Sequence, residues 1–128
     1  MSGAPETRRR IVIAEDDPAI AAMLEKVLSQ QYNVSVAHDG RTALALAAKP
    51  PLPALLMLDI MMPILDGLAV AAEVRKSPEL KGIPIIFLTA KSGAADVIKG
   101  IQSGARHYIT KPFKIDDVLA KVKKALGG

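Results

Sequence analysis

The sequence predicts an α/β fold: a flavodoxin-like (βα)5 three-layer sandwich on a five-stranded parallel sheet of order 2-1-3-4-5. Three observations carry this expectation. Five short apolar runs alternate with five helical patterns, one unit every ~20–25 residues, which is the rhythm of βαβ units. The strongest runs are continuously apolar rather than alternating, as strands buried on both faces must be. Right-handed crossovers then leave few topologies, and 2-1-3-4-5 is the common order for five such units.

Residues 1–9 are small, polar or charged and read as a disordered tail. Arg10 to Ala14 is a β-branched apolar run that stops at Glu15-Asp16-Asp17-Pro18, a buried strand followed by a loop, with Pro18 opening a helix. Ile20, Leu24, Val27 and Leu28 lie on one face of that helix. Val34 to Ala37 is a weaker strand, His38-Asp39-Gly40 a turn, and Arg41 to Ala48 a short helix. Lys49-Pro50-Pro51-Leu52-Pro53 is a stiff connector that cannot be helical. It delivers the run Ala54 to Leu58, which stops at Asp59. Asp66-Gly67 is turn chemistry, with Asp66 placed to cap a helix from about Leu68 to Lys76. Ile83 to Leu88 is a strand stopping at Thr89. Ala94 to Gln102 reads as a fourth helix ended by Ser103-Gly104, and Arg106 to Thr110 as a fifth strand stopping at Lys111-Pro112. Ile115, Val118, Leu119, Val122 and Leu126 mark a fifth, amphipathic helix.

The chain's 128 residues suit one domain. No apolar run reaches the ~18 residues of a membrane span, and no apolar segment follows the N-terminal charges as in a signal peptide. Cysteine is absent, which excludes disulfides, thiolate metal sites and cysteine nucleophiles. The expectation is a cytoplasmic protein with no membrane partner. The net charge is +4, and Arg8, Arg9 and Arg10 supply three of the positive charges. With Tyr32, Phe87, Tyr108 and Phe113 as the whole aromatic complement, no base-stacking platform is available. The basic residues are therefore read as solvated charge, and no direct nucleic-acid binding is expected.

Four strand runs end in a reactive side chain: Glu15-Asp16, Asp59, Thr89 and Lys111. Strand 2 ends blandly, and in the predicted order it is an edge. The four functional ends are then neighbours at the carboxyl edge of the sheet, where open α/β sheets bind ligands. Three carboxylates brought close together repel one another and raise each other's pKa values. A cation relieves the conflict. With oxygen ligands and no Cys or His partner, a hard ion is selected, Mg²⁺ above others. Lys111 is a point charge able to meet a phosphoryl oxygen, and Thr89 can donate its hydroxyl to another. A carboxylate at Asp59 flanked by Mg²⁺ and an ammonium suits formation of an aspartyl phosphate. Charged residues do collect at loop starts, but four such ends at consecutive central strands exceed what that habit explains. No Walker, dinucleotide, zincin or nucleophile-elbow motif competes. His38 reads as a loop residue, His107 as a surface residue, Asp17 as a helix-start charge and Met57 as core.

The segments IVIAEDDP, LLMLDIMMPILDG, PIIFLTA and GARHYITKPF resemble the receiver domain of bacterial two-component response regulators, typified by the chemotaxis regulator. The resemblance covers about residues 10–126. It implies that Asp59 accepts a phosphoryl group from a sensor histidine kinase or histidine phosphotransfer protein. It implies Mg²⁺ ligation by Asp16, Asp59 and the backbone carbonyl of Met61, with Glu15 acting through metal-bound water. Thr89 and Lys111 would bind phosphoryl oxygens, Tyr108 would change rotamer on activation, and Lys111-Pro112 would be a cis peptide. A downstream protein target would read the face made by the fourth helix, fifth strand and fifth helix. Arg106-His107 replaces an acidic pair common in DNA-binding regulators, and Met61 and Lys91 occupy positions that tune phosphate lifetime in the family.

Because the sequence stops at Gly127-Gly128 just after the last helix, a stand-alone receiver without an output domain is expected, signalling rather than catalysing beyond its own phosphotransfer and dephosphorylation. The alternatives are the N-terminal receiver of a longer regulator, or a small Mg²⁺-dependent phosphohydrolase. Such a hydrolase commonly needs an acid-base aspartate two residues after its nucleophile, where this chain has Met61.

Overall fold

Pro18 and Pro112 mark two places where the chain leaves a strand and turns toward a helix. In the computed structural model, residues 8–90 and 107–127 are described. The strands are β1 (Arg10–Ala14), β2 (Asn33–Ala37), β3 (Leu55–Asp59), β4 (Ile85–Ala90) and β5 (His107–Lys111). The helices among the described residues are α1 (Pro18–Leu28), α2 (Gly40–Ala47), α3 (Gly67–Lys76) and α4 (Ile115–Ala125). The helix expected over 94–102 lies outside them, as do Lys91 and Arg106.

All strand pairs are parallel, in the order β2-β1-β3-β4-β5, as predicted. Alternation along each strand splits its side chains between two cores. Val12, Ala14, Leu56, Leu58, Ile85 and Phe87 pack against Ala43, Ala47, Val70 and Val74 of α2 and α3. Ile11, Ile13, Leu55, Met57, Ile86 and Leu88 pack against Leu24, Leu28, Val118 and Val122 of α1 and α4. β1, β3 and most of β4 are thus buried on both faces, which is why they read as unbroken apolar runs. Each fully buried large side chain contributes ~1.5–3 kcal/mol.

Local chemistry sets the element ends. Asp17 accepts from the Ala19 and Ile20 N–H groups and opens α1. Asp66 accepts from the Ala69 N–H and opens α3 at Gly67, one residue before the expected start. Asp39 does the same for α2 through the Thr42 N–H, starting it at Gly40 rather than Arg41. β4 starts two residues later than the apolar run. Ile83 is still in a turn, its N–H bonded to the Leu80 carbonyl, and Pro84 has no N–H to offer a ladder. The Lys111-Pro112 peptide is cis, as the resemblance implies, and so is Pro50-Pro51.

The N-terminal arginines, Arg8 and Arg9 exposed, reach carbonyls at the helix ends. Arg8 donates to the Ser29 carbonyl at 2.7 Å, just past α1, and Arg9 to the Leu126 carbonyl at 2.6 Å, just past α4. Arg10 donates to the carbonyls of Leu46, Lys49 and Pro51, each at 2.9 Å. Helix C-termini leave carbonyls unpaired, and guanidinium groups satisfy them while meeting the negative end of the helix dipole. No helix among the described residues is long and apolar enough to cross a membrane.

Candidate functional site

β1 and β3 are neighbours, and both end in acids at the carboxyl edge of the sheet. Glu15 is fully buried just past β1, Asp16 next to it is exposed, and Asp59 at the end of β3 is 4% exposed. Carboxylate oxygens of Glu15, Asp16 and Asp59 all lie within 4.8 Å of one another. The β1–β3 register brings Asp59 to the consecutive Glu15 and Asp16.

The acids are held by the backbone around them. The Met61 N–H donates to Asp59 Oδ1 at 3.0 Å. The Asp17 N–H donates to Glu15 Oε2 at 3.1 Å. His38, just past β2, sets its Nδ1 3.1 Å from the Glu15 carbonyl oxygen, so the loop residue lies against the strand that delivers the acids. Lys111, at the end of β5, reaches across β4. Its Nζ hydrogen-bonds Asp59 Oδ2 at 3.0 Å. It also forms an ion pair with the buried Glu15 Oε1 at 2.6 Å.

Burial, with the Asp59 carboxyl beside it, pushes the Glu15 pKa up to about 7 against the pull of Lys111 and the Asp17 N–H. Burial would lower the Lys111 pKa, but hydrogen bonds and charge from Glu15 and Asp59 outweigh it, and the pKa is raised. The sheet edge therefore holds more negative charge than one ammonium balances. Three carboxylates, two of them buried, and no thiolate or imidazole ligand form a donor set that suits a hard divalent cation such as Mg²⁺.

The remaining sequence candidates are placed as follows. Thr89 is 3% exposed in β4, and its hydroxyl donates to the Ala90 carbonyl at 3.1 Å. Tyr108 is on the edge strand β5, opposite Phe87, and is 43% exposed. The Met61 side chain is 71% exposed, whereas Met57 is fully buried core. Asp17 serves as a helix cap. The reading of residue types did not find Lys111 paired with Glu15. The signal available was one lysine ending a strand in a sheet whose other central ends carry acids.

The family model described as "Response regulator receiver domain" matches residues 11–123. The chain belongs to the response regulator receiver family. Response regulator PleD of Caulobacter vibrioides is 43% identical over 111 residues, covering 86% of this chain and 24% of that protein. The DNA-binding response regulator MtrA of Mycolicibacterium smegmatis is 39% identical over 120 residues, covering 93% of this chain and 51% of that protein. The chain thus spans between a quarter and about half of these relatives' lengths. Among solved structures, a response regulator from Chloroflexus aurantiacus superposes with a TM-score of 0.88 at 35% identity, covering 94% of this chain and 99% of that one. The receiver domain of a sensor histidine kinase from Pseudomonas aeruginosa superposes with a TM-score of 0.84 at 29% identity, covering 94% of this receiver chain and 99% of that one. That structure has a magnesium ion coordinated in its active-site cleft.

Proposed function

We propose that this receiver domain accepts a phosphoryl group on Asp59 from a sensor histidine kinase or histidine phosphotransfer protein, and relays the change to a protein partner. The observation that carries this reading is the setting of Asp59. It is a nearly buried carboxylate pinned by the Met61 N–H on one oxygen and by Lys111 on the other, beside Glu15 and Asp16.

In the transfer, an Asp59 carboxylate oxygen attacks phosphorus. The P–N bond to the donor imidazole breaks, and its electron pair returns to the imidazole nitrogen. Asp16, Asp59 and the Met61 carbonyl would hold Mg²⁺, with Glu15 acting through its water shell. When bound, the ion supplies positive charge against the phosphoryl oxygens. The family resemblance and the magnesium ion of the Pseudomonas receiver support this assignment.

Lys111 swings its ammonium from the carboxylates to a phosphoryl oxygen, and the Thr89 hydroxyl turns from Ala90 to another. Tyr108 follows by exchanging its exposed position for the space Thr89 leaves. The face around β5 and α4, with the helix expected over 94–102, is then what a downstream target reads. The domain comprises about residues 10–126 and works as a switch rather than an enzyme on other substrates.

A receiver acting alone is the first reading. The greater length of PleD and MtrA supports a second reading, a receiver segment of a longer regulator.

The test is incubation with a small-molecule phosphodonor and Mg²⁺, followed by intact-mass and peptide analysis. One phosphoryl group should appear in wild type and none in Asp59→Asn. Labelling at another residue, or unchanged labelling of the variant, overturns the assignment.

A further inference from the structure

Residues 60–66 connect β3 to α3 and contain the most strained backbone among the described residues. Ile64 has φ +70° and is the one described non-glycine residue with positive φ. The Leu65 N–H donates to the Pro63 carbonyl at 2.7 Å. A bond from i to i+2 around a residue of such φ is the uncommon, strained form of the γ-turn. A β-branched side chain makes that conformation costlier. Ile64 is 72% exposed, so burial of its own side chain does not offset the strain.

The ends of the loop are tied to the sheet and to α3. The Ile60 N–H bonds the Leu88 carbonyl at 3.0 Å, and the Gly67 N–H bonds the Ile60 carbonyl at 3.0 Å. Its middle rests on α2. A Cβ added to Gly40 would lie 2.8 Å from both the carbonyl carbon and the Cβ of Leu65, and closer still to the carbonyl oxygen. This is backbone against backbone, so no flexible side chain could yield. Gly40 is itself fixed, because Asp39 caps α2 through the Thr42 N–H at 2.8 Å and the Thr42 hydroxyl at 3.0 Å.

We propose that Gly40 is a positioning residue for the site: its bare α-carbon seats the Leu65 carbonyl, locks the turn at Ile64 and so holds Met61 against Asp59. The consequence for metal rests on the reading of Met61 and Asp59 as Mg²⁺ ligands. The consequence for the metal-free loop does not. A displacement of about 1 Å at a site can cost of the order of 10²-fold in function, and a methyl group at residue 40 requires a shift on that scale.

The experiment compares wild type with Gly40→Ala, the milder Asp39→Ala, a core control Val74→Ala and a ligand control Asp16→Ala. Amide hydrogen exchange is followed by NMR without metal, and Mg²⁺ affinity by calorimetric titration. In Gly40→Ala the Leu65 and Met61 amides should exchange at least tenfold faster and Mg²⁺ should bind about tenfold more weakly. Asp39→Ala should move both the same way by a few-fold. Val74→Ala should lower the melting temperature yet leave both quantities as in wild type. A folded Gly40→Ala with wild-type exchange and affinity overturns the proposal. If Gly40→Ala does not fold, unchanged exchange and affinity in Asp39→Ala overturn it instead. If neither wild type nor Asp16→Ala binds Mg²⁺, the metal assignment fails, and the exchange rates alone decide the role of Gly40.

Discussion

Lys111 Nζ lies 3.0 Å from Asp59 Oδ2, so the cation proposed to receive a phosphoryl oxygen is already bound to the proposed phosphoacceptor. The same ammonium lies 2.6 Å from Glu15. In the resting domain Lys111 therefore acts as an internal counter-ion, and any incoming cation or phosphoryl group must compete with it or displace it.

Lys111→Met removes that counter-ion while keeping most of the side-chain stem. Removing one partner of a buried ion pair costs ~3–5 kcal/mol when the other charge stays buried. The Lys111 side chain is 22% exposed, which places the effect near the lower end of that range. Urea unfolding in EDTA at neutral pH should show the loss, and Mg²⁺ should restore part of it by neutralising the same carboxylates. A variant as stable as wild type without metal would show that the acids are not strained against one another.

Glu15 gives the metal-free protein a pH dependence opposite to that of an ordinary salt-bridged acid. Its pKa rises from 4.5 to about 7 on folding, with burial the leading cause. Between these values the folded state binds more protons than the unfolded state, so stability falls as pH rises. The loss begins near pH 4.5, is complete a little above 7, and amounts to at most about 3 kcal/mol. Lys111, its pKa raised, stays charged throughout this window and adds no slope. Chemical denaturation in EDTA at pH 5 and pH 7.5 should show the decline, and Glu15→Gln should flatten it. A Glu15→Gln protein with the wild-type slope would assign the titration to another group.

Thr89 and Tyr108 are proposed to link the phosphorylation site to the partner face. Thr89 is buried in β4 and Tyr108 is exposed on β5. Phosphorylation then shifts a two-state population, with a coupling of ~1–3 kcal/mol. Thr89→Ala should still accept phosphate at Asp59 but lose most of that shift. Amide spectra with a beryllofluoride phosphoryl mimic should change across residues 107–125 in wild type and stay confined near Asp59 in the variant. Equal spreading in both would remove Thr89 from the relay.

The sheet was legible because double-sided burial writes itself as unbroken apolar runs. Ile11 to Ala14 and Leu55 to Leu58 are buried throughout, and no polar residue interrupts either run. Asp17 and Asp66 were legible as helix starts because capping acts over two or three residues. The meeting of Glu15, Asp16, Asp59 and Lys111 at one edge follows from strand order, which the βαβ rhythm restricts strongly. What stayed hidden depends on direction or on distant backbone. A lysine's residue type does not say that it bridges two acids at rest. The arginine triplet looks like solvated charge because its partners Ser29, Leu46 and Leu126 are carbonyls far along the chain. Ile64 carries no turn signature, so its positive φ is set by packing around Leu65 rather than by its own preference.

The arginines that bind the helix C-termini have a consequence for how the domain meets a charged macromolecule. They lie at the end of the sheet opposite Asp59, and the helices repeat the same sorting. Asp17, Asp39 and Asp66 cap α1, α2 and α3, and Asp116 and Asp117 begin α4 at the site end. Lys26, Arg75, Lys76, Lys123 and Lys124 occupy last turns at the far end. Despite the chain's net charge of +4, the described residues are polarised along the strands. An approaching macro-ion senses that polarity over a Debye length, ~10 Å at 0.1 M salt, before any side chains touch. A basic surface is drawn toward Asp59 and an acidic one toward the arginines, so encounter geometry is biased by the molecule's own electric axis, and adding salt should slow productive encounter with a basic partner.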